Sequence, residues 1–217
     1  MPAQLHAIAS EPSFDAGPAG RSERAELNLI GVARSLSRDQ EVFAEGDSAD
    51  QVYKVVAGAV RTLRLLADGR RQITGFFLPG DILGVELGGA RRETAEAIGE
   101  AVVIVARRSS LAAEPAELLW RHALGELRRS QDHAMTIGRR AAIERVASFL
   151  LDLADRLGAG ETLTLPMSRQ DIADYLCLTI ETVSRTLTQL QASGLIGVQG
   201  CRQVRLLRRA ALAELCE

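Results

Sequence analysis

The stretch D-I-A-D-Y-L-C-L-T-I-E-T-V-S-R, Asp171 to Arg185, carries two short helical patterns joined by a tight turn. Ser168 followed by Asp171 makes a capping-box-like start, and Ile172, Ala173 and Leu176 give the first helix an apolar face. The pattern breaks at Cys177 and Leu178. Thr179 then caps a second helix, whose Ile180, Val183, Leu187 and Leu190 recur at helical spacing and leave Glu181, Thr182, Ser184, Arg185 and Gln189 on the opposite face. Two helices so joined form a helix-turn-helix, which sets the N-terminal residues of its second helix against base edges in the DNA major groove. Polar side chains on that face are not needed for packing. Arg185 offers a two-pronged donor to guanine O6 and N7, and Glu181 can accept from a cytosine amine. Ser184 is short enough for close approach to a thymine methyl or an acceptor. The same residues also suit a merely solvated helix face. Downstream, Leu195 to Val198 and Val204 to Leu207 flank a polar, glycine-containing turn, and this β-hairpin wing turns the reading toward DNA.

Upstream, between about residues 36 and 108, short apolar runs alternate with glycine-centred turns at Gly46, Gly58, Asp68-Gly69 and Gly80. That segment reads as a β-roll. From Leu111 the period lengthens to that of a helix, with Leu118, Leu124, Leu127, Ala134 and Ile137 on one face. Such a seam suits a parallel pair of helices between two copies of the chain, or an amphipathic helix packed only on its own domain. A dimer would place two reading helices one DNA turn apart.

The bulk properties narrow the class. In 217 residues, 47% apolar, no run approaches the roughly 18 to 20 residues of a membrane span. The N-terminus lacks a basic region followed by an apolar core, so a soluble protein with a cytoplasmic address and no membrane partner is expected. Residues 1–25, rich in Ala, Ser, Pro and Gly, read as a flexible arm. The net charge is −2, which argues against nucleic-acid binding by bulk charge. Affinity must come from local placement, with Arg169, Gln170, Thr179, Thr182 and Arg202 as candidate phosphate contacts. No nucleophile–base constellation, phosphate-cradling loop or metal-spaced ligand set marks an enzyme.

Other segments extend the pattern: F-A-E-G-D at Phe43 to Asp47, V-Y-K-V-V-A-G-A-V-R-T at Val52 to Thr62, and D-G-R-R-Q-I at Asp68 to Ile73. F-L-P-G-D at Phe77 to Asp81 and R-R-A-A-I-E-R-V-A-S-F-L-L-D-L at Arg139 to Leu153 follow in order. With the helix-turn-helix they make the chain resemble, over nearly its whole length, the CRP/FNR superfamily of dimeric bacterial transcription regulators. The resemblance implies an α+β chain: a jelly-roll-like β-roll sensor domain over 26–110, a dimerisation helix over 111–140 and a winged helix-turn-helix over 141–217. It further implies a homodimer, mainly an activator, that binds palindromic double-stranded DNA and touches RNA polymerase. The acidic, glycine-containing loop at Asp155 to Glu161 and the β-roll loops occupy places where this superfamily meets the polymerase. Glu181, Ser184 and Arg185 match FNR-like base readers, whereas Ile180 stands where CRP-like members carry an additional Arg. TTGAT-type half-sites follow from that match.

Absences refine the branch. Where CRP-like members hold the phosphate of a cyclic nucleotide with an Arg and a small hydroxyl residue, Arg91 and Arg92 are followed by Glu93 and Thr94. Glu93 and Glu96 would repel a phosphate, so cyclic nucleotide is not expected. Cys177, Cys201 and Cys216 are scattered through the C-terminal half, and no cysteine precedes them to ligate an FNR-type iron–sulfur cluster. His6, His122 and His133 lie in the arm and the helical stretch, so no haem, other cofactor or metal is expected. The chain is similar to the FixK branch, whose members control low-oxygen respiration and nitrogen metabolism without a bound effector. A nitric-oxide, haem or small-molecule-responsive regulator on the same scaffold is the alternative. Cys177 stands in a turn that often needs a left-handed backbone. It is a candidate redox-sensitive brake, since a sulfinate there adds bulk and charge near DNA, or else an inert cysteine filling the turn. Cys201 in the wing is a competing candidate, and Cys216 is expected to be merely exposed.

Overall fold

A computed structural model describes residues 27, 29–139 and 141–216; the arm expected over 1–25 lies outside them. Eight strands follow one another: β1 (Val32–Leu36), β2 (Glu41–Phe43), β3 (Gln51–Ala57), β4 (Val60–Leu65), β5 (Arg71–Phe77), β6 (Ile82–Leu83), β7 (Thr94–Ala97) and β8 (Ala101–Arg107). They form two antiparallel sheets, ordered β1-β8-β3-β6 and β2-β7-β4-β5. The inward apolar residues of the two sheets meet in a shared core, Tyr53, Val55 and Val103 of one against Val60, Ala95 and Ala97 of the other. The turns fall where glycine was expected. At Gly58 the backbone has φ +74°, and a Cβ would come within 2.3 Å of the Glu100 carbonyl, so a side chain is excluded twice over.

The helix expected from Leu111 starts later. A 3-10 turn spans Arg108–Ala113, and α1 runs over Ala116–Gly138. Pro115 forces Glu114 into an extended conformation, ψ 148°, which separates the two. Leu118 packs with Leu111 and Leu119 under the β-roll. Leu124 and Leu127 are instead more than half exposed, Ala134 is exposed and Ile137 is half-buried. Trp120 and Met135, which the sequence reading passed over, are exposed along with them.

The C-terminal part contains α2 (Ala142–Leu157), β9 (Thr162–Thr164), α3 (Arg169–Leu176), α4 (Ile180–Ala192), β10 (Ile196–Gln199), β11 (Gln203–Leu206) and α5 (Arg209–Glu214). The wing is a three-stranded sheet, β10-β11-β9, not a hairpin alone. Three residues of alternation around Leu163 are too few to announce β9 beforehand. The expected loop at Asp155 to Glu161 is half helix: α2 continues to Leu157 and ends on Gly158 in the left-handed region, φ 60°. Asp155 there pairs with Arg209. Leu150 and Leu153 of α2 pack with Ile172, Leu176, Val183, Leu187 and Leu190 in a core that also takes in Ile73 and Phe76 of the β-roll. Each such large apolar side chain contributes about 1.5 to 3 kcal/mol by burial.

Candidate nucleic-acid interface

The reading head is built by local capping. Ser168 accepts from the Asp171 backbone N–H, while the Asp171 carboxylate accepts from the Ser168 N–H at 3.0 Å, so the capping box is complete. Helix α3 stops at Cys177, whose φ 54° and ψ 46° lie in the left-handed region. Thr179 then caps α4 by accepting from the Thr182 N–H at 3.2 Å. The short connection holds α4 across α3, with Ile172, Ala173 and Leu176 packed against Val183, Leu187 and Leu190.

That packing turns the polar face outward. Glu181 and Arg185 are exposed, and Thr182 and Ser184 are half-buried. The Thr182 hydroxyl lies 3.5 Å from a guanidinium nitrogen of Arg185 and 3.1 Å from the Thr179 hydroxyl, a weak tether. The Glu181 backbone N–H and the Thr179 hydroxyl hold the Glu181 carboxyl below the usual carboxylate range, which keeps it an acceptor. Two details depart from the sequence reading. Ile180, placed there on the packing face, is 37% exposed at the first turn of α4, beside the readers. Thr186, unremarked in the sequence, is buried.

The expected phosphate contacts are dispersed around this face. Arg169, at the start of α3, donates to the Ser184 hydroxyl at 3.3 Å. Gln170 donates to Asp174 at 2.7 Å, and Arg202 in the wing donates to the Pro166 carbonyl at 3.3 Å. Cys177 is exposed, and its sulfur lies 3.5 Å from the Gln72 side-chain carbonyl on β5. Cys201 is exposed as well. Cys216 is not merely exposed: it is half-buried, packs against the core and donates to the Leu212 carbonyl at 3.3 Å. α5 creates that environment by folding back on α2, a placement that one short amphipathic turn does not reveal.

His133 lies flat on Tyr175, centroids 3.9 Å apart, with Nε2 2.9 Å from the Tyr175 carbonyl. Burial lowers its pKa and that of His122. Two cavities lie along the inner face of α1. One of about 420 Å³ is lined by Phe43, Arg64, Glu86, Arg92, Glu93 and His122, among others. The second, of about 310 Å³, lies between β5, α1, α2 and Tyr175. Glu93 lines both, accepts from the Thr74 hydroxyl, and has its pKa raised by burial. Glu96 does not face them as the sequence suggested; Arg61 has drawn its carboxylate away, at 2.6 Å. Among the described residues no group of His, Cys, Asp or Glu is placed to hold a metal ion. No described helix is long and apolar enough to cross a membrane.

A double-sheet roll leading through a long helix to a winged helix-turn-helix defines a DNA-binding regulator. A family profile described as "Cyclic nucleotide-binding domain" matches residues 33–114, and one described as "Crp-like helix-turn-helix domain" matches residues 144–215. The nitrogen fixation regulation protein FixK of Rhizobium meliloti is 48% identical over 177 residues, covering 82% of this chain and 83% of that one. The transcriptional activatory protein AadR of Rhodopseudomonas palustris is 41% identical, covering 83% and 80%. The solved structure of FixK2 from Bradyrhizobium japonicum superposes with TM-score 0.82 at 46% identity, covering 87% of this chain and 98% of that one. The chain belongs to the CRP/FNR family of transcription regulators and is similar to its FixK members.

Proposed function

We propose that the chain is a transcription activator that binds as a homodimer to a palindromic site with TTGAT-type half-sites, without a bound effector. In this reading Glu181, Ser184 and Arg185 contact bases, and Arg169, Gln170, Thr179, Thr182 and Arg202 contact phosphates. The observation that carries it is the outward polar face of α4, with Glu181 and Arg185 exposed over a buried apolar face. Dimerisation is supported by α1, which has 23 residues and none buried in the single chain. Leu124, Leu127, Ala134 and Ile137, joined by Trp120 and Met135, form the seam. The relatives' names point the target genes toward nitrogen fixation, and low-oxygen respiration belongs to the same reading. RNA polymerase is the remaining partner, met by exposed groups such as Glu161. Cys177 is the redox-sensitive candidate, and no enzymatic role is assigned.

One observation favours a second reading, a small-molecule-responsive regulator: the cavity of about 420 Å³ between the β-roll and α1. Arg64 and Arg92 line it together with the acids Glu86, Glu93 and Glu126, so its charge is mixed; Glu93 in place of a small hydroxyl residue after Arg92 is what makes a cyclic nucleotide a poor occupant. The deciding experiment measures binding of the purified protein to a duplex with two TTGAT half-sites, with nothing added. Nanomolar binding supports the effector-free reading; binding that requires a haem or small-molecule fraction defeats it.

A further inference from the structure

The β-roll and the reading head are joined by a buried charge network. Asp171, 3% exposed, divides its carboxylate between two tasks. One oxygen closes the capping box of α3, accepting from the Ser168 N–H at 3.0 Å and the Ser168 hydroxyl at 2.7 Å. The other accepts from Arg61 of β4 at 3.1 Å and from Arg71 of β5 at 2.8 Å. Arg71 also forks onto Asp174 with bonds of 2.9 and 2.7 Å, and Gln72 donates to the Asp174 backbone carbonyl at 2.8 Å. Arg61 is itself held by Glu96 at 2.6 Å and Asp39 at 2.8 Å. On α2 the polarity is reversed: Arg156 donates to Asp81 of the β-roll at 3.0 Å.

Both Arg71 donors converge on Asp174 Oδ2 while one of them also bridges to Asp171 Oδ1, so a planar guanidinium ties two carboxylates of α3 to β5 at once and limits how far α3 can shift on the β-roll. Asp171 stands at the third position of α3, and α3 shares its core with α4. A tilt of α3 therefore tilts the readers. In a dimer the two reading helices must meet the groove about 34 Å apart, so a small tilt of each head changes the fit to both half-sites.

We infer that Arg61 and Arg71 are positioning residues for DNA reading: their clamp on Asp171 and Asp174 sets the head on the β-roll, in the manner of a ligand bound between the two parts. Glu96, turned from the cavity to Arg61, belongs to this clamp. The inference deepens the effector-free reading and rests on it for its DNA readout; its coupling readout needs no DNA.

The test uses full-length Arg71→Ala and Arg71→Lys, together with the exchanged pair Arg71→Asp with Asp174→Arg. Arg71 is the better target because its side chain is 27% exposed, against 7% for Arg61. Binding is measured to duplexes with two half-sites at the preferred spacing and with one base pair inserted. Couplings between sites are typically about 5- to 150-fold. Arg71→Ala should therefore bind about tenfold more weakly at the preferred spacing and should lose most of the penalty for the inserted pair. The lysine variant should fall between, and the exchanged pair, which restores the contact to residue 174 but not the one to Asp171, should recover in part and exceed either of its single substitutions. A misfolded variant would lose binding without shifting the spacing ratio, and circular dichroism identifies it. Without DNA, calorimetry should show one unfolding transition for the wild type and two for Arg71→Ala. Wild-type affinity and spacing ratio in Arg71→Ala, or an exchanged pair no better than its single substitutions, overturns the clamp. Failure of the wild type to bind without an effector refutes the proposed function instead, and a single transition in Arg71→Ala then overturns the clamp on its own.

Discussion

Cys177→Gly is a perturbation whose sign is decided by competing terms. An L-residue in the left-handed region costs about 1 to 2 kcal/mol, and Cys177 holds φ 54° and ψ 46° there. Glycine removes that cost. It also widens the unfolded ensemble, which returns about 0.4 to 1 kcal/mol. The side chain itself adds little, because Cys177 is exposed and its thiol hydrogen bond, 3.5 Å to the Gln72 side-chain oxygen, is a weak one. The balance is a stabilisation of about 0.5 to 1 kcal/mol. At about 2 to 4 °C per kcal/mol for a chain of this size, the thermal midpoint should rise by about 1 to 4 °C. Cys177→Val should move it the other way, since a β-branched residue tolerates the left-handed region least. Urea titrations with equal slopes for the three proteins supply the free energies. A loss of 1 kcal/mol or more in the glycine variant would refute the reasoning, because the thiol contact would then outweigh the backbone strain.

Arg185→Ala should weaken specific DNA by about 1 to 3 kcal/mol per half-site and relax the choice at one guanine, whereas Arg202→Ala should weaken all sequences alike; competition with single-base variants separates them. An unchanged TTGAT preference in Arg185→Ala would displace the reading face. Peroxide should abolish DNA binding by the wild type and spare Cys177→Ser, and equal loss in both would clear Cys177. Burial pushes the Tyr175 hydroxyl up to about 12, above its ordinary value of about 10. The unfolded chain therefore ionises first: the contribution is complete below about pH 10 and is lost as pH rises through about 12, roughly 2 to 3 kcal/mol in all. Tyr175→Phe should flatten that part of the stability curve, and an identical alkaline limb in both proteins would count against it.

The elements legible in the sequence were those made by neighbours along the chain. Ser168 with Asp171, the break at Cys177, the cap at Thr179 and the glycine turns of the roll are interactions spanning a few residues, so each leaves its mark at fixed spacing. The outward face of α4 followed from the same periodicity, although Ile180 escaped it, because a helix's first turn projects beyond the packing face. Only the tertiary structure decided what Asp171 does besides capping. Its partner Arg61 is 110 residues away, and an arginine and an aspartate leave no periodic trace that would pair them. Both residue types are by default surface residues. Separation along the chain likewise hid the diversion of Glu96 to Arg61 and the seating of His133 on Tyr175, while β9 was too short to show its alternation. Capping and hairpin patterns are short-range and repetitive, so the chain alone determines them; a buried charge finds its partner only when folding brings distant segments into one low-dielectric place.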